Sequence, residues 1–490
     1  MDREKIAQIA LKECHSLGAQ YVDVRLEKIE DENISVSDGN VEPIEQSISI
    51  GIGIRVLKDG GWGFASTDNL SEKSVKSKAK LAIEIAMASA SINKLRNPAF
   101  DGRKIDLSPL KPAKGDFVSP YEIDPFTIPL DKKIAFLMDI DTAIASGGGE
   151  KINSRNCFAG FRKIDKYFSS SDGAALRQII VQTGGGLSLG MTKSRRERYE
   201  RTYPSSSGQY ECKGYELLEE LKMKDAVPRL IEEVQMLMTA EPCPANATTI
   251  LLSGDQVSLQ IHESIGHPLE LDRVFGSERN FSGTSFATPE NLDKLKYASD
   301  IVTIVSDPTA SHGLGSFGYD DEGVPAHSTD LIKNGILVNY LSSRETSARI
   351  GKNSTGAMRA DSWKNVPLVR MTNINLLPGD KSFEQILSGI DDGIYMDTVN
   401  SWSIDDQRKY FKFGCEIGWL IKGGKLTAPI NNPTYSGCTT DFWNKCTAIA
   451  DKGSFRIWGT PNCGKGEPGQ NARTGQGASP ARFDNIQVGG

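Results

Sequence analysis

At 490 residues the chain exceeds what one compact core ordinarily sustains, and two to four domains are expected. Its composition, 38% hydrophobic and 24% charged, is ordinary for a globular protein, and a net charge of −6 leaves no broad basic surface for nucleic acid or an anionic membrane. No stretch nears the roughly 20 apolar residues that span a bilayer, and Asp2, Arg3, Glu4 and Lys5 stand where a secretion signal needs an apolar run, so a cytoplasmic protein is expected.

In chain order, residues 2–17 pattern as an amphipathic helix with Ile6, Ile9, Ala10 and Leu11 on its apolar face. Residues 21–67 alternate apolar and polar in strand fashion, broken at Asp38-Gly39 and Asp59-Gly60, which are hairpin turn dipeptides. A helix capped by Asn69 or Ser71 then runs to about residue 93. Residues 97–130 are rich in proline and read as an extended connector. A helix from Leu130 to about Ala145 follows, then strand-like segments over 162–173 and 175–190, then a helical run from Glu219 that is punctuated by Pro242 and Pro244. The segment TTILLSGDQVSLQIHESIGH supplies a buried strand, a turn and a helix, and the remainder is strand-rich and dense in glycine. The fold class expected is α+β: an N-terminal antiparallel sheet with helices over residues 1–225, and a strand-rich C-terminal domain over 226–490.

Eight cysteines lie scattered without a C-x-x-C pair, so inert thiols are expected in place of a disulfide framework. Of five histidines, two flank a glutamate within six residues: His262, Glu263 and His267. A hydrolytic zinc helix usually spaces its histidines four apart. On a regular helix, positions five apart diverge by about 140°, and positions four apart by about 40°. His262 and His267 therefore share an ion only if the helix is distorted, by a π-bulge or local unwinding. Gly266, tolerant of unusual dihedrals, and Pro268, which disfavours the α region for the residue before it, are the candidate causes. A catalytic zinc needs a third protein ligand. Cys463 sits among glycines, yet spacing alone does not separate it from Cys438 or Cys446.

Several stretches together settle on a resemblance. GIGIRVLKDGGWGFAST, HESIGHPLELD, YDDEGVPAHSTDLIKNGIL, PLVRMTN and CGKGEPGQ with the closing GQGASPARFDNIQVGG resemble segments of the TldD/PmbA family, historically labelled modulators of DNA gyrase and regarded as zinc metallopeptidases. The resemblance implies zinc held by His262, His267 and Cys463, with Glu263 as general base. A thiolate donates more charge than an imidazole, so such a zinc is a weaker Lewis acid than a three-histidine one. The resemblance further implies short or unfolded peptide substrates, and a cavity enclosed by a homodimer or by a heterodimer with a PmbA-like subunit. A non-catalytic partner or regulatory subunit is the alternative, and the intact ligand set argues against it. The chain departs from the family pattern at VNSWSIDDQ, which lacks the glycine-rich stretch often found there.

Other motifs are weaker. QTGGGLSLG lacks the lysine of a phosphate-binding loop and reads as strand irregularity or a hairpin. KSRRERYERTYP reads as a solvated basic face, and Asp320, Asp321 and Glu322 as a solvated or hydrogen-bonded turn. His312 and His327 are not expected to bind metal. Arg370 and Asn373 are candidates for holding a substrate backbone.

Overall fold

A computed structural model describes residues 2–96, 105–194 and 197–489, and its element order is a mixed α+β one. The first helix, Arg3–Ser16, is capped by the Asp2 carboxylate, which accepts from Lys5 N at 3.0 Å. Strands Tyr21–Ser37 and Glu45–Lys58 pair antiparallel, and Glu45–Lys58 turns into Gly61–Thr67. Both aspartate–glycine turns take positive φ at each residue, 50° and 79° at Asp38-Gly39 and 53° and 80° at Asp59-Gly60. That is the twist-matched hairpin geometry those residue types favour.

These strands belong to a nine-stranded sheet continued by Ser154–Ser170 and Ala175–Ser194. The triple-glycine segment lies inside Ala175–Ser194, where the Tyr210 ring fills the space above Gly184. The helix Glu72–Arg96 lies directly on Gly61–Thr67: a Cβ at Gly63 would sit 2.0 Å from the Ala82 carbonyl, so glycine is what permits the approach. The proline-rich 97–130 segment is more than a connector. Its first part, to residue 104, lies outside the described residues, but Lys114–Val118 forms a strand parallel to Ala175–Ser194 at the sheet's edge. The helix Met223–Leu237 packs in one core with Ile34, Val36, Leu137 and Leu187. The 225/226 division expected from the sequence thus falls within a helix that packs on the N-terminal sheet.

The C-terminal half contains an eight-stranded and a six-stranded sheet. Strand Asn246–Leu252 runs inside the former, parallel to Asp392–Ile404 and antiparallel to Ala481–Val488. It leads into the site helix Gly254–Ile261, capped by Ser253 Oγ accepting from Gln256 N at 3.3 Å. This helix packs on Asp392–Ile404 of one sheet and on Gln470–Ala478 and Arg456–Lys465 of the other. Val257, Ile261 and Ile265 enter the largest apolar cluster with Met371, Ile374 and Trp443, all fully buried.

The basic run is solvated at Arg198, whose side chain is exposed, but not at Arg201. Arg201 is 1% exposed, and its guanidinium meets Glu233 and Glu416 at 2.7 Å and Asp397 at 3.1 Å, tying the N-terminal sheet to the C-terminal half. Arg195 and Arg196 of the same run lie outside the described residues. Asp320, Asp321 and Glu322 are buried, not solvated. Asp320 accepts from three backbone amides, Asp321 pairs with Lys166 at 2.6 Å, and Glu322 pairs with Arg55 at 3.1 Å. Among the described residues no helix is long and apolar enough to cross a membrane.

Candidate metal centre

The helix that begins at Gly254 changes pitch at its histidine. Residues His262–Gly266 form a π turn, closed by His267 N donating to His262 O, and His267–Leu269 continue as a 3-10 turn. An i to i+5 closure brings residues five apart onto one face, which is what the spacing requires. The freed backbone groups find side-chain partners. Ser264 Oγ donates to Gln260 O at 2.5 Å, and Tyr297 Oη donates to Ser264 O at 2.6 Å. Trp443 Nε1 in turn donates to Ser264 Oγ at 2.9 Å. Burying these groups without partners would cost about 1–3 kcal/mol each, so this network holds the π turn in place.

The dihedral causes expected from the sequence do not operate. Gly266 sits at φ −59°, ψ −63°, and His267 at φ −62°, ψ −45°, both ordinary right-handed values. Gly266 is required for a different reason: a Cβ there would lie 2.0 Å from Met371 Sδ.

His262 and His267 present their Nε2 atoms to Cys463 Sγ at 3.3 and 3.6 Å, with the two rings perpendicular at 86°. Cys463 arrives on Arg456–Lys465, the edge strand of the six-stranded sheet, just past a bulge between Thr460 and Cys463 that turns its sulfur inward. All three side chains are buried, and among the described residues they form the group of donors able to hold one ion, with the ligand atoms within 4.8 Å of one another. A tetrahedral ion about 2.3 Å from sulfur and 2.0–2.1 Å from nitrogen needs S···N separations of roughly 3.6 Å. The donor set suits zinc in its chemistry, and both sulfur–nitrogen separations lie near that value.

The electrostatics suit a thiolate. Burial pushes a thiol up, and with nearby carboxylates it takes Cys14 and Cys157 both to about 12. At Cys463 burial is outweighed by His262, His267 and the Arg370 guanidinium, which together hold it well below its ordinary value. Burial likewise opposes charge on His267, but Cys463 and Glu270 hold it up at about 9. Glu270 Oε2 lies 3.0 Å from His267 Nδ1 and orients that ring. Burial would raise Glu270, but Lys465, 3.3 Å away, then His267 and Arg370 hold it far below the usual carboxylate range.

Glu263 flanks the donors, and its Oε2 pairs with Arg408 Nη1 at 2.8 Å. His262, Glu263, His267, Cys463 and Arg408 line one cavity of about 600 Å³, walled also by Asp255, Trp402 and Trp458. Arg370 and Asn373, the residues expected to hold a substrate backbone, are not among those that line it. Arg370 is 1% exposed and donates to the carbonyls of Cys463 and Gln470, bracing the strand behind the thiol. Asn373 donates to Asp307 O and Ser316 Oγ and accepts from Gly315 N, a purely structural set. His312 and His327 turn to backbone carbonyls of Cys212 and Pro325. Sequence reading missed Glu270, Arg408 and Asp255. Only Glu270 had a local signal, a carboxylate three residues beyond His267; Arg408 is 145 residues from Glu263.

The chain is similar to known proteins along most of its length. Residues 245–490 match the model of the PmbA/TldA metallopeptidase C-terminal domain, and residues 22–86 match that of domain 1. A metalloprotease of Methanocaldococcus jannaschii is 28% identical over 464 residues, covering 94% of this chain and 95% of its own. A metalloprotease TldD homolog of Haemophilus influenzae is 26% identical, covering 96% and 93%. Among solved structures, TldE from Thermococcus kodakarensis superposes with a TM-score of 0.73 at 16% identity, covering 99% of each chain. A protein from Thermotoga maritima described as a modulator of DNA gyrase gives 0.77 at 16%, covering 99% of this chain and 100% of that one. With matches that run through both the N-terminal sheet and the half carrying His262, His267 and Cys463, the chain belongs to the PmbA/TldD family of metallopeptidases.

Proposed function

We propose that this chain is a zinc-dependent peptidase that hydrolyses short or unfolded peptides. The observation that carries the reading is the convergence of two imidazoles and a thiolate beside an acidic side chain, all facing one cavity. A zinc ion held by His262, His267 and Cys463 would supply Lewis acidity, acidifying a water and polarising a carbonyl. Glu263 is the general base: one of its oxygens, Oε1, has no protein partner among the described residues and is free to take the water's proton and return it to the leaving amine. Glu270 keeps His267 in one ring orientation, and Lys465 keeps Glu270 charged. A cavity of about 600 Å³ admits a few residues of extended chain and excludes a folded domain. A second subunit, either another copy or a PmbA-like chain, would enclose it further.

The test compares wild type and Glu263→Gln on an unstructured peptide, with zinc content and sedimentation mass measured in parallel. Wild type should cleave and should hold about one zinc per chain. The variant should keep its zinc and lose activity by about 10² or more, as loss of a general base predicts. A wild type that holds zinc without cleaving any peptide would favour a regulatory or partner subunit instead. A monomer with full activity would remove the second subunit from the proposal.

A further inference from the structure

Arg408 enters the cavity from the turn joining Asp392–Ile404 to Tyr410–Lys422, directly after the atypical VNSWSIDDQ segment. The turn is tied throughout. Arg408 N donates to Asp405 O at 2.9 Å, Lys409 N to Asp405 Oδ1 at 2.7 Å, and Thr439 Oγ1 to Arg408 O at 2.8 Å. A neighbouring loop braces it from outside, through Thr284 N to Asp406 O at 2.9 Å and Phe286 N to Gln407 O at 3.1 Å. Within this frame Arg408 is held at φ 62°, in the left-handed region that a bulky side chain rarely adopts. Such strain persists only where the surroundings over-determine it, and it concentrates at functional sites.

The side chain is under-used for a structural ion pair. Its contact with Glu263 is through one nitrogen, Nη1, although a guanidinium and a carboxylate ordinarily form two parallel bonds when nothing else claims them. Its Nε is buried and has no hydrogen-bond partner among the described residues. Arg408 thus lines the cavity beside the candidate base with donor capacity that Glu263 does not take up.

We propose that Arg408 is a catalytic residue that stabilises the oxyanion formed on the scissile carbonyl, following the negative charge as it leaves Glu263. This rests on the peptidase reading. In the attack, an O–H bond of water breaks and its proton goes to Glu263 Oε1. The water oxygen's electron pair forms the new C–O bond, and the carbonyl π pair moves to the carbonyl oxygen. One negative charge has left the carboxylate and one has appeared on the oxyanion, so Arg408 keeps an anionic partner throughout. On collapse the oxygen's pair re-forms the carbonyl and the C–N bond breaks. The amine then takes the proton from Glu263, restoring the Glu263–Arg408 pair. Donors fixed in advance and aimed at developing charge are worth about 10²–10³ in kcat. A His–His–Cys centre, whose thiolate offsets part of the ion's charge, has the greater need of a second electrophile.

The experiment uses Arg408→Ala and Arg408→Lys in the zinc-loaded full chain, with an unstructured peptide as substrate and a phosphinic peptide as mimic of the tetrahedral oxyanion. Arg408→Ala should lose about 10²–10³ in kcat with KM little changed. Its affinity for the phosphinic peptide should fall by a similar factor, while zinc content and melting temperature stay at wild-type values. Arg408→Lys should retain part of the activity, and millimolar guanidinium should partly restore Arg408→Ala where equal sodium chloride does not. Raised KM at unchanged kcat, loss of zinc in both variants, or undiminished phosphinic-peptide binding would overturn the proposal while leaving the peptidase reading intact. Absence of cleavage by wild type would overturn both.

Discussion

Replacing Gly266 with alanine tests what makes the five-residue histidine spacing workable. The backbone at φ −59°, ψ −63° accepts alanine without strain, and alanine favours helix over glycine by about 0.8–1.0 kcal/mol. The new Cβ, however, would stand 2.0 Å from Met371 Sδ and 3.0 Å from its Cγ, against the 3.4 Å or more of ordinary contact. Something must move by roughly 1.4 Å, and Met371 is fully buried in the main apolar cluster with its carbonyl held by Arg359 Nη1 at 2.6 Å. Overpacking of this kind costs about 1–3 kcal/mol, so the net destabilisation is about 0–2 kcal/mol after the helix preference is subtracted. The effect on metal is the larger one. Metal sites tolerate displacements of about 0.2 Å, and His267 is the next residue. Zinc affinity should drop by about 10–100-fold, as when a ligand's support is lost. The assay is competition against a chromophoric chelator, with Gly266→Ala measured alone and together with Met371→Ala, which makes room for the methyl. Recovery of affinity in the double variant is expected. Unchanged zinc affinity in the single variant, or a loss that persists in the double, would refute the packing explanation.

Three further outcomes are expected. Cys463→Ala should lose most of its zinc, whereas Cys438→Ala, whose sulfur meets Thr440 Oγ1 at 3.9 Å, should retain it by elemental analysis. Glu270→Gln should weaken zinc binding by about 10–100-fold in the same chelator assay, since the carboxylate that orients His267 becomes a neutral amide. Asp255→Asn should change how stability depends on pH. Burial, with Asp397 and Glu416 near, raises the Asp255 carboxyl from 3.8 to about 7. An acid whose folded value is raised contributes stability that is complete below its unfolded value and is lost as pH rises through the folded one. Wild type should therefore lose up to roughly 4 kcal/mol between pH 4 and 8 through this group, at 1.36 kcal/mol per pH unit. The variant should match wild type near pH 4 and exceed it at pH 8 in denaturant unfolding; a constant difference across that range would rule out Asp255 as the titrating group.

What the sequence determined by itself is what acts over a few residues. The aspartate–glycine dipeptides set two hairpin turns, apolar periodicity set the first helix, and a site shared by His262 and His267 demands a break in helix pitch. Each of those follows from steric or angular constraints between near neighbours. Which cysteine joins the histidines was decided elsewhere, because Cys463 lies 196 residues from His267 and reaches it through a strand register and a bulge that no local pattern encodes. The cause of the helix break likewise belongs to the tertiary structure: Met371, Tyr297 and Trp443 come from distant segments to occupy the space beside Gly266 and to bond the groups around Ser264. The same holds for Arg201, Arg370 and Asn373. Their side chains carry the same charge or amide on a surface as in a core, and only the packing of sheets around them decides whether they meet solvent, substrate or a buried partner.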